Sequence, residues 1–184
     1  MERTVTLRDG RRVHIRPLQK DDGEGLHGMY QSMSPDALRW SMAPYTEETI
    51  DRWIGNLPNL ISLVSVYDGD IVGYASVQKF THPRLHGTGD LNIYIHQDYQ
   101  GAGLGTALMV MLLNAANEHS LHRINLEVVA DNETAVHLFR KFGFNVEGRR
   151  VKAYKAQDGR LYDILLMGKT LNRDPTETEP ESIN

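Results

Sequence analysis

Residues 100–106 read Gln100-Gly101-Ala102-Gly103-Leu104-Gly105-Thr106, and they stand between an alternating stretch that ends near His96 and an apolar run that begins at Leu104. Three glycines in five residues let the backbone pass close to a ligand. The N–H groups opening the next helix point outward, which makes an anion site suited to a pyrophosphate. No Gly-Lys-Ser/Thr follows, so this is not a P-loop, and the spacing is not that of the dinucleotide fingerprint. Taken alone, the turn reads equally well as a tight seat for a helix on a sheet.

Outward from this turn the chain alternates between strand and helix signals. Leu104, Ala107, Leu108, Met111, Leu112 and Ala115 recur at helical spacing, predicting a helix over 104–119, while 90–96 alternates as a strand. A buried strand is expected at 124–129. Asp131 and Asn132 then cap a helix through Lys141, with Gly143 in the C-cap position. Two further strands, 145–156 and 161–170, flank the turn at 157–160. Toward the N-terminus, Asp9-Gly10 and Asp68-Gly69-Asp70 each divide two β-rich runs, which predicts hairpins at 4–16 and 61–79. Three helices are expected between them, after Asp21-Asp22, after Ser34-Pro35, and after Thr46 with Glu47 and Glu48. The expected architecture is α/β, a mixed and mostly antiparallel sheet flanked by helices in a single domain over 1–171.

Composition narrows the chemistry. The 184 residues include no cysteine, so disulfides, thiolate zinc sites, iron-sulfur clusters and a cysteine nucleophile are excluded. Of the formal net charge of −4, most belongs to residues 172–184, which hold two prolines and four acids against one base; an acidic, disordered tail is expected there. The remaining body is close to neutral and lacks the basic field that drives nucleic-acid binding, so nucleic acid is not an expected partner. The charged N-terminus lacks the apolar region of a signal peptide and the longest apolar run, 107–113, is too short to cross a membrane. A soluble, cytoplasmic protein is expected.

Several spaced motifs carry a resemblance. They are Ile93-Tyr94-Ile95, then Tyr99-Gln100-Gly101-x-Gly103-x-Gly105, Leu126-Glu127-Val128, Asn132-x-x-Ala135, and Leu138-Phe139-x-Lys141-x-Gly143-Phe144. In this order the chain resembles the GNAT superfamily of N-acetyltransferases over residues 16–171. Its opening, LRDGRRVHIRP with Ser34-Pro35-Asp36 beyond it, is similar to bacterial and archaeal protein-lysine acetyltransferase domains. Its ending, from Glu147-Gly148 through Tyr162-Asp163 to Met167, is similar to phosphinothricin acetyltransferase-like enzymes of small molecules.

The resemblance implies the acyl-CoA N-acyltransferase fold, acetyl-CoA as co-substrate and no metal. It implies that the strand at Ile93, Tyr94 and Ile95 splays from the strand at 124–129. Pantetheine would pair there with backbone groups of Ile93 and Ile95, and the pyrophosphate would sit on amides of Gln100, Gly101, Ala102, Gly103, Leu104, Gly105 and Thr106. Asn132 would meet pantetheine or a water, and Phe139 would pack on the cofactor. Ala102 stands where many relatives carry a basic residue, so phosphate binding rests on the amides, with Arg140 or Lys141 as candidate helpers.

A primary amine with a pKa of ~10.4 must lose a proton to attack, at a cost of about 4.6 kcal/mol at pH 7, so a base is expected. Asp90 matches a glutamate of the lysine acetyltransferases and Glu127 matches the base of ribosomal-protein N-acetyltransferases; Asp90 is favoured slightly. Either carboxylate reads alternatively as a solvated group or a partner of an arginine such as Arg123. Phe139 occupies the place where relatives often carry the tyrosine that protonates the thiolate. Tyr154 is the candidate replacement, with Tyr94 behind it, and ordinary packing is the alternative for both.

Other features read as structural. His82 and His86 fall in a loop beside a proline, Arg8, Arg11, Arg12 and Arg16 line the first hairpin as a solvated edge or an acceptor of acidic partners, and Trp40 and Trp53 read as core in preference to a substrate wall. The expected activity is transfer of acetyl from acetyl-CoA to a primary amine by direct attack. A protein lysine or N-terminus is the favoured acceptor, a small amine or amino acid the second, and a non-catalytic acyl-CoA sensor the alternative of another class. A homodimer is left open.

Overall fold

The computed structural model describes residues 2–171, so the expected disordered tail at 172–184 lies outside the described residues. The chain runs β1 (Arg3–Thr6), β2 (Arg12–Pro17), α1 (Gly23–Ser32), α2 (Glu47–Gly55), β3 (Leu60–Tyr67), β4 (Asp70–Lys79), β5 (Thr88–Ile95), α3 (Leu104–Glu118), β6 (Arg123–Val129), α4 (Glu133–Lys141), β7 (Asn145–Lys155) and β8 (Leu161–Thr170). The eight strands form one sheet in the order β1-β2-β3-β4-β5-β6-β8-β7. All neighbours are antiparallel except β5 and β6.

Both Asp-Gly turns close hairpins where alternation places them, and Asp68 and Gly69 both adopt the positive φ that a two-residue turn of matching twist requires. Helix α3 buries Leu104, Leu108, Met109, Leu112 and Ala116 against one face of the sheet, where α4 adds Val136 and Phe139. Helices α1 and α2 cover the other face, setting Leu26, Met29, Tyr30 and Ile50 on Val64 and Tyr74. The central strands β3 and β4 are therefore buried between two helical layers, while β1 and β7 at the sheet edges are largely exposed. Each fully buried aliphatic side chain contributes about 1.5–3 kcal/mol.

One expected element does not form. Ser34 starts a turn, its Oγ accepting the Ala37 N–H at 3.1 Å and its carbonyl the Leu38 N–H at 3.0 Å. No helix follows: the next bonds are three-residue turns, Arg39 N–H to Asp36 O at 3.2 Å and Ser41 N–H to Leu38 O at 2.9 Å, and the Tyr154 hydroxyl, 2.6 Å from Arg39 O and 3.0 Å from Ser41 O, engages the carbonyls that would extend them. Pro44 has no N–H to give a ladder, and residues 42–46 carry no regular structure up to the Thr46 cap of α2.

Candidate active site

The strand β5 is paired with β4 along its whole length but with β6 over only three rungs, Thr88 with Arg123, Gly89 with Ile124 and Asp90 with Asn125. Beyond Asp90 the two strands part. Backbone groups alternate sides along a strand, and His96 N–H and Thr88 C=O both bond toward β4. The N–H and C=O groups of Ile93 and Ile95 therefore face the gap. The Ile95 carbonyl accepts the Gln100 side-chain amide at 2.9 Å, which ties the mouth of the gap to the glycine turn.

A cavity of about 520 Å³ occupies this opening. Its lining includes Asp90, Asn92 and Tyr94 together with Leu91 and Ile93, and successive residues of a strand point to opposite faces. The cavity thus passes through the sheet. On the α4 side it meets Asn132, Ala135 and Phe139; on the other it meets Trp40, Met42, Glu127, Glu147 and Tyr154.

At the α4 side the glycine turn ends in Gly103, whose φ of 96° is the left-handed geometry that sets the helix start. No side chain caps α3, so its first N–H groups have no local acceptor. The Gln100 N–H is spent on the Gln97 carbonyl at 3.2 Å, so the turn's free donors begin at Gly101. Close packing explains the last glycine: a Cβ on Gly105 would lie 3.1 Å from Ile95 Cδ1 and 3.3 Å from Leu138 Cδ2. An uncapped helix start beside an unpaired strand edge fits a ligand that joins a polyanion to an amide-bearing arm.

The side-chain oxygen of Asn132 caps α4 through the Ala135 N–H at 3.3 Å while the residue lines the cavity. Phe139 is buried and meets Phe144 edge-on at 6.0 Å. Arg140 lines a separate groove with His137 and Arg149, away from the glycine turn.

On the face opposite α4 three carboxylates share the lining, and their surroundings differ. Glu147 pairs with Arg123, which also donates to Asn125 Oδ1 at 2.7 Å. Glu127 is half-exposed and meets Arg150 at 2.7 Å. Among the described residues Asp90 has no arginine partner; the Asn125 amide, 3.4 Å away, is its neighbour. Burial, the strongest influence, pushes the Asp90 carboxyl above its ordinary pKa, the Asn125 hydrogen bond opposes this, and the negative charge of Glu127 adds to the rise.

Tyr154 reaches the site from a bulge in β7, held by Asp163, which accepts the Lys152 N–H at 2.7 Å and the Arg149 guanidinium at 2.5 Å. Burial and then Tyr45 raise the Tyr154 phenol above its ordinary range. Trp40 is not core: it lines the cavity, edge-on to Tyr162 at 4.9 Å, beneath the Arg39 guanidinium at 4.4 Å. Trp53 is core, stacked on Tyr74 at 5.4 Å. Tyr94 is enclosed by Tyr30 and Tyr45, and burial lifts its pKa well above the usual range. Asn92, Asn125 and Glu147 complete a lining that motif reading missed; Asn125 and Glu127 stand two apart on β6, a spacing that places both on one face.

The comparisons with known proteins agree with this fold. The model of the acetyltransferase (GNAT) family matches residues 26–144. The L-amino acid N-acetyltransferase AaaT of Escherichia coli K12 is 29% identical over 117 residues, covering 63% of this chain and 72% of that one. The spermidine N(1)-acetyltransferase of the same organism is 29% identical over 143 residues, 74% of each chain. A crystal structure of a GNAT-family acetyltransferase from Streptococcus pneumoniae superposes with a TM-score of 0.76 at 27% identity, over 86% of this chain and 99% of that one.

Proposed function

The chain belongs to the acetyltransferase (GNAT) family, and from that premise we propose that it moves acetyl from acetyl-CoA to the primary amine of a small molecule by direct attack, with Asp90 as the base. The observation that carries this reading is the cavity through the sheet, which joins the parted β5 edge at Ile93 on one face to a partly desolvated carboxylate, Asp90, on the other, with the uncapped start of α3 following the end of that same strand. Acetyl-CoA, when bound, supplies the acetyl thioester and a thiolate leaving group. The turn amides from Gly101 onward would hold its pyrophosphate, the gap-facing backbone groups of Ile93 and the Ile95 N–H would take its pantetheine arm, and Asn132 and Phe139 would close the α4 side.

Asp90 takes the proton from the acceptor ammonium, directly or through one water held with Asn125. A raised pKa suits that work, since a base nearer neutrality gives up less driving force for proton transfer. Glu127 is engaged by Arg150, which leaves Asp90 as the carboxylate available to an acceptor amine. Tyr154 has its hydroxyl engaged by backbone carbonyls, which supports a positioning role for it, holding the segment that carries Trp40, in place of the acid role. A thiolate of pKa about 8.5 leaves without such an acid.

Small amines come first because AaaT and the spermidine enzyme are named for amino-acid and polyamine acceptors and because Trp40 and Tyr154 wall the acceptor side. A protein lysine or N-terminus is the second reading, favoured by Met42, which is 76% exposed at the mouth and offers apolar surface to a peptide. Thiol release with acetyl-CoA and a panel of amino acids, polyamines and lysine peptides tests the proposal, without background from protein thiols. Turnover with amino acids or polyamines supports it; turnover confined to peptides moves the assignment to the second reading, and silence across the panel removes it.

A further inference from the structure

Ala102 leaves the glycine turn without the basic side chain expected there, and the structure shows what occupies the vicinity. The hairpin turn between β1 and β2 lies against residues 98–103. The Arg8 N–H donates to the Ala102 carbonyl at 3.0 Å, the Arg11 guanidinium donates to the Asp98 carbonyl at 2.7 Å, and it also covers the Tyr99 ring at 4.0 Å. Under this contact Ala102 is buried, 8% exposed, with its methyl in the core. A long cationic side chain at 102 would have to leave that core position.

The hairpin brings a cation of its own. A Cβ built on Gly103 would stand 3.9 Å from both Cγ and Nε of Arg8. Arg8 is exposed, and among the described residues it makes no ion pair, whereas Arg11 is committed to Asp9 and Arg16 to Asp22. An arginine fork beside uncapped helix N–H groups is matched to a phosphate oxygen. We propose that Arg8, reaching over from the hairpin, binds the pyrophosphate of the acyl-CoA co-substrate and replaces the charge that Ala102 lacks. This rests on the cofactor placement proposed above. The hydrogen bond at Ala102 fixes the Arg8 backbone beside the turn, which puts its side chain within reach of the ligand.

Calorimetric titration of CoA and of dephospho-CoA into the full chain tests this, comparing wild type with Arg8→Ala, Arg8→Lys and Arg12→Ala over a range of salt. Arg8→Ala is expected to weaken both ligands about tenfold, as for a partly exposed charge-assisted bond, and to flatten the salt dependence of binding. Arg8→Lys is expected to recover most of the loss, while Arg12→Ala, an exposed neighbour on the same hairpin, binds as wild type does. Melting temperatures without ligand separate a binding loss from a folding one. Unchanged affinity in Arg8→Ala, an equal loss in Arg12→Ala, or a loss seen only with the 3′-phosphate present overturns the assignment. Wild type that fails to bind CoA overturns it together with the reading beneath it.

Discussion

Asp90 Oδ1 stands 3.4 Å from the side-chain nitrogen of Asn125, across the last rung that joins β5 to β6. The carboxylate therefore sits at the vertex of the opening, where the strands begin to separate.

That position sets a pH dependence. The proposed base, Asp90, can act only when ionised, and its pKa lies above the ordinary aspartate value, so kcat/KM is expected to rise with pH through a limb displaced upward. Asp90→Asn is expected to lower kcat/KM about 10²–10³-fold and to abolish the limb. Asn125→Ala removes the interaction that opposes the rise and moves the limb to higher pH. Glu127→Gln stays within about fivefold of wild type. Rate profiles with a reactive amine check all three.

The same carboxylate costs stability. Its folded pKa is raised, so its contribution to folding is fully present below the unfolded pKa and is lost as pH rises through the folded one. Asp90→Asn is expected to be more stable than wild type at pH 7, and the difference is expected to close as pH falls below 3.8. Urea unfolding at both ends of that window measures it.

Asp22 has the opposite sign. Burial tends to raise its pKa, but the Arg16 fork, at 2.6 and 2.7 Å, and the Gln19 N–H outweigh it, and the net shift is downward. Its stabilisation is present above the unfolded pKa and lost as pH falls through the folded one. Asp22→Ala should cost about 1.5–3 kcal/mol at pH 7, with the gap closing in acid, as read by chemical denaturation.

Gly103→Ala separates backbone strain from collision. Its nearest neighbours would be 3.9 Å away, so space is available, but φ of 96° costs an L-residue about 1–2 kcal/mol. Calorimetric melting should show that loss, with a weaker CoA affinity alongside it.

Tyr154→Phe tests positioning against acid catalysis. Loss of the hydroxyl frees the Arg39 and Ser41 carbonyls, and the acceptor KM is expected to rise several-fold with kcat held within about threefold. A collapse of kcat at constant KM would restore the acid role.

The two Asp-Gly hairpins, the Thr46 cap, the stripe of α3 and the Asn132 cap are legible in the sequence because each depends on neighbours within a few residues. So is the glycine turn, whose φ at Gly103 only glycine adopts freely. What is not legible arises from distant partners. Ser34-Pro35 signals a helix correctly at short range, yet Tyr154, from a strand far along the chain, takes the carbonyls that would extend it. Trp40 reads as core by composition, and its place on the cavity wall is set by Tyr154 and Tyr162, more than a hundred residues away in sequence. Which carboxylate stays unpaired depends on Arg123 choosing Glu147 and Arg150 choosing Glu127, choices made across three strands.

The parting of β5 from β6 leaves an unpaired strand edge in the middle of the sheet, with five strands on one side of it and three on the other. An open edge is a template for foreign strands, and here it carries Ile93 and Ile95. A ligand laid along it would act as a guard against aggregation as well as a reactant, so the chain kept without CoA is expected to lose solubility on storage sooner than the chain kept with it.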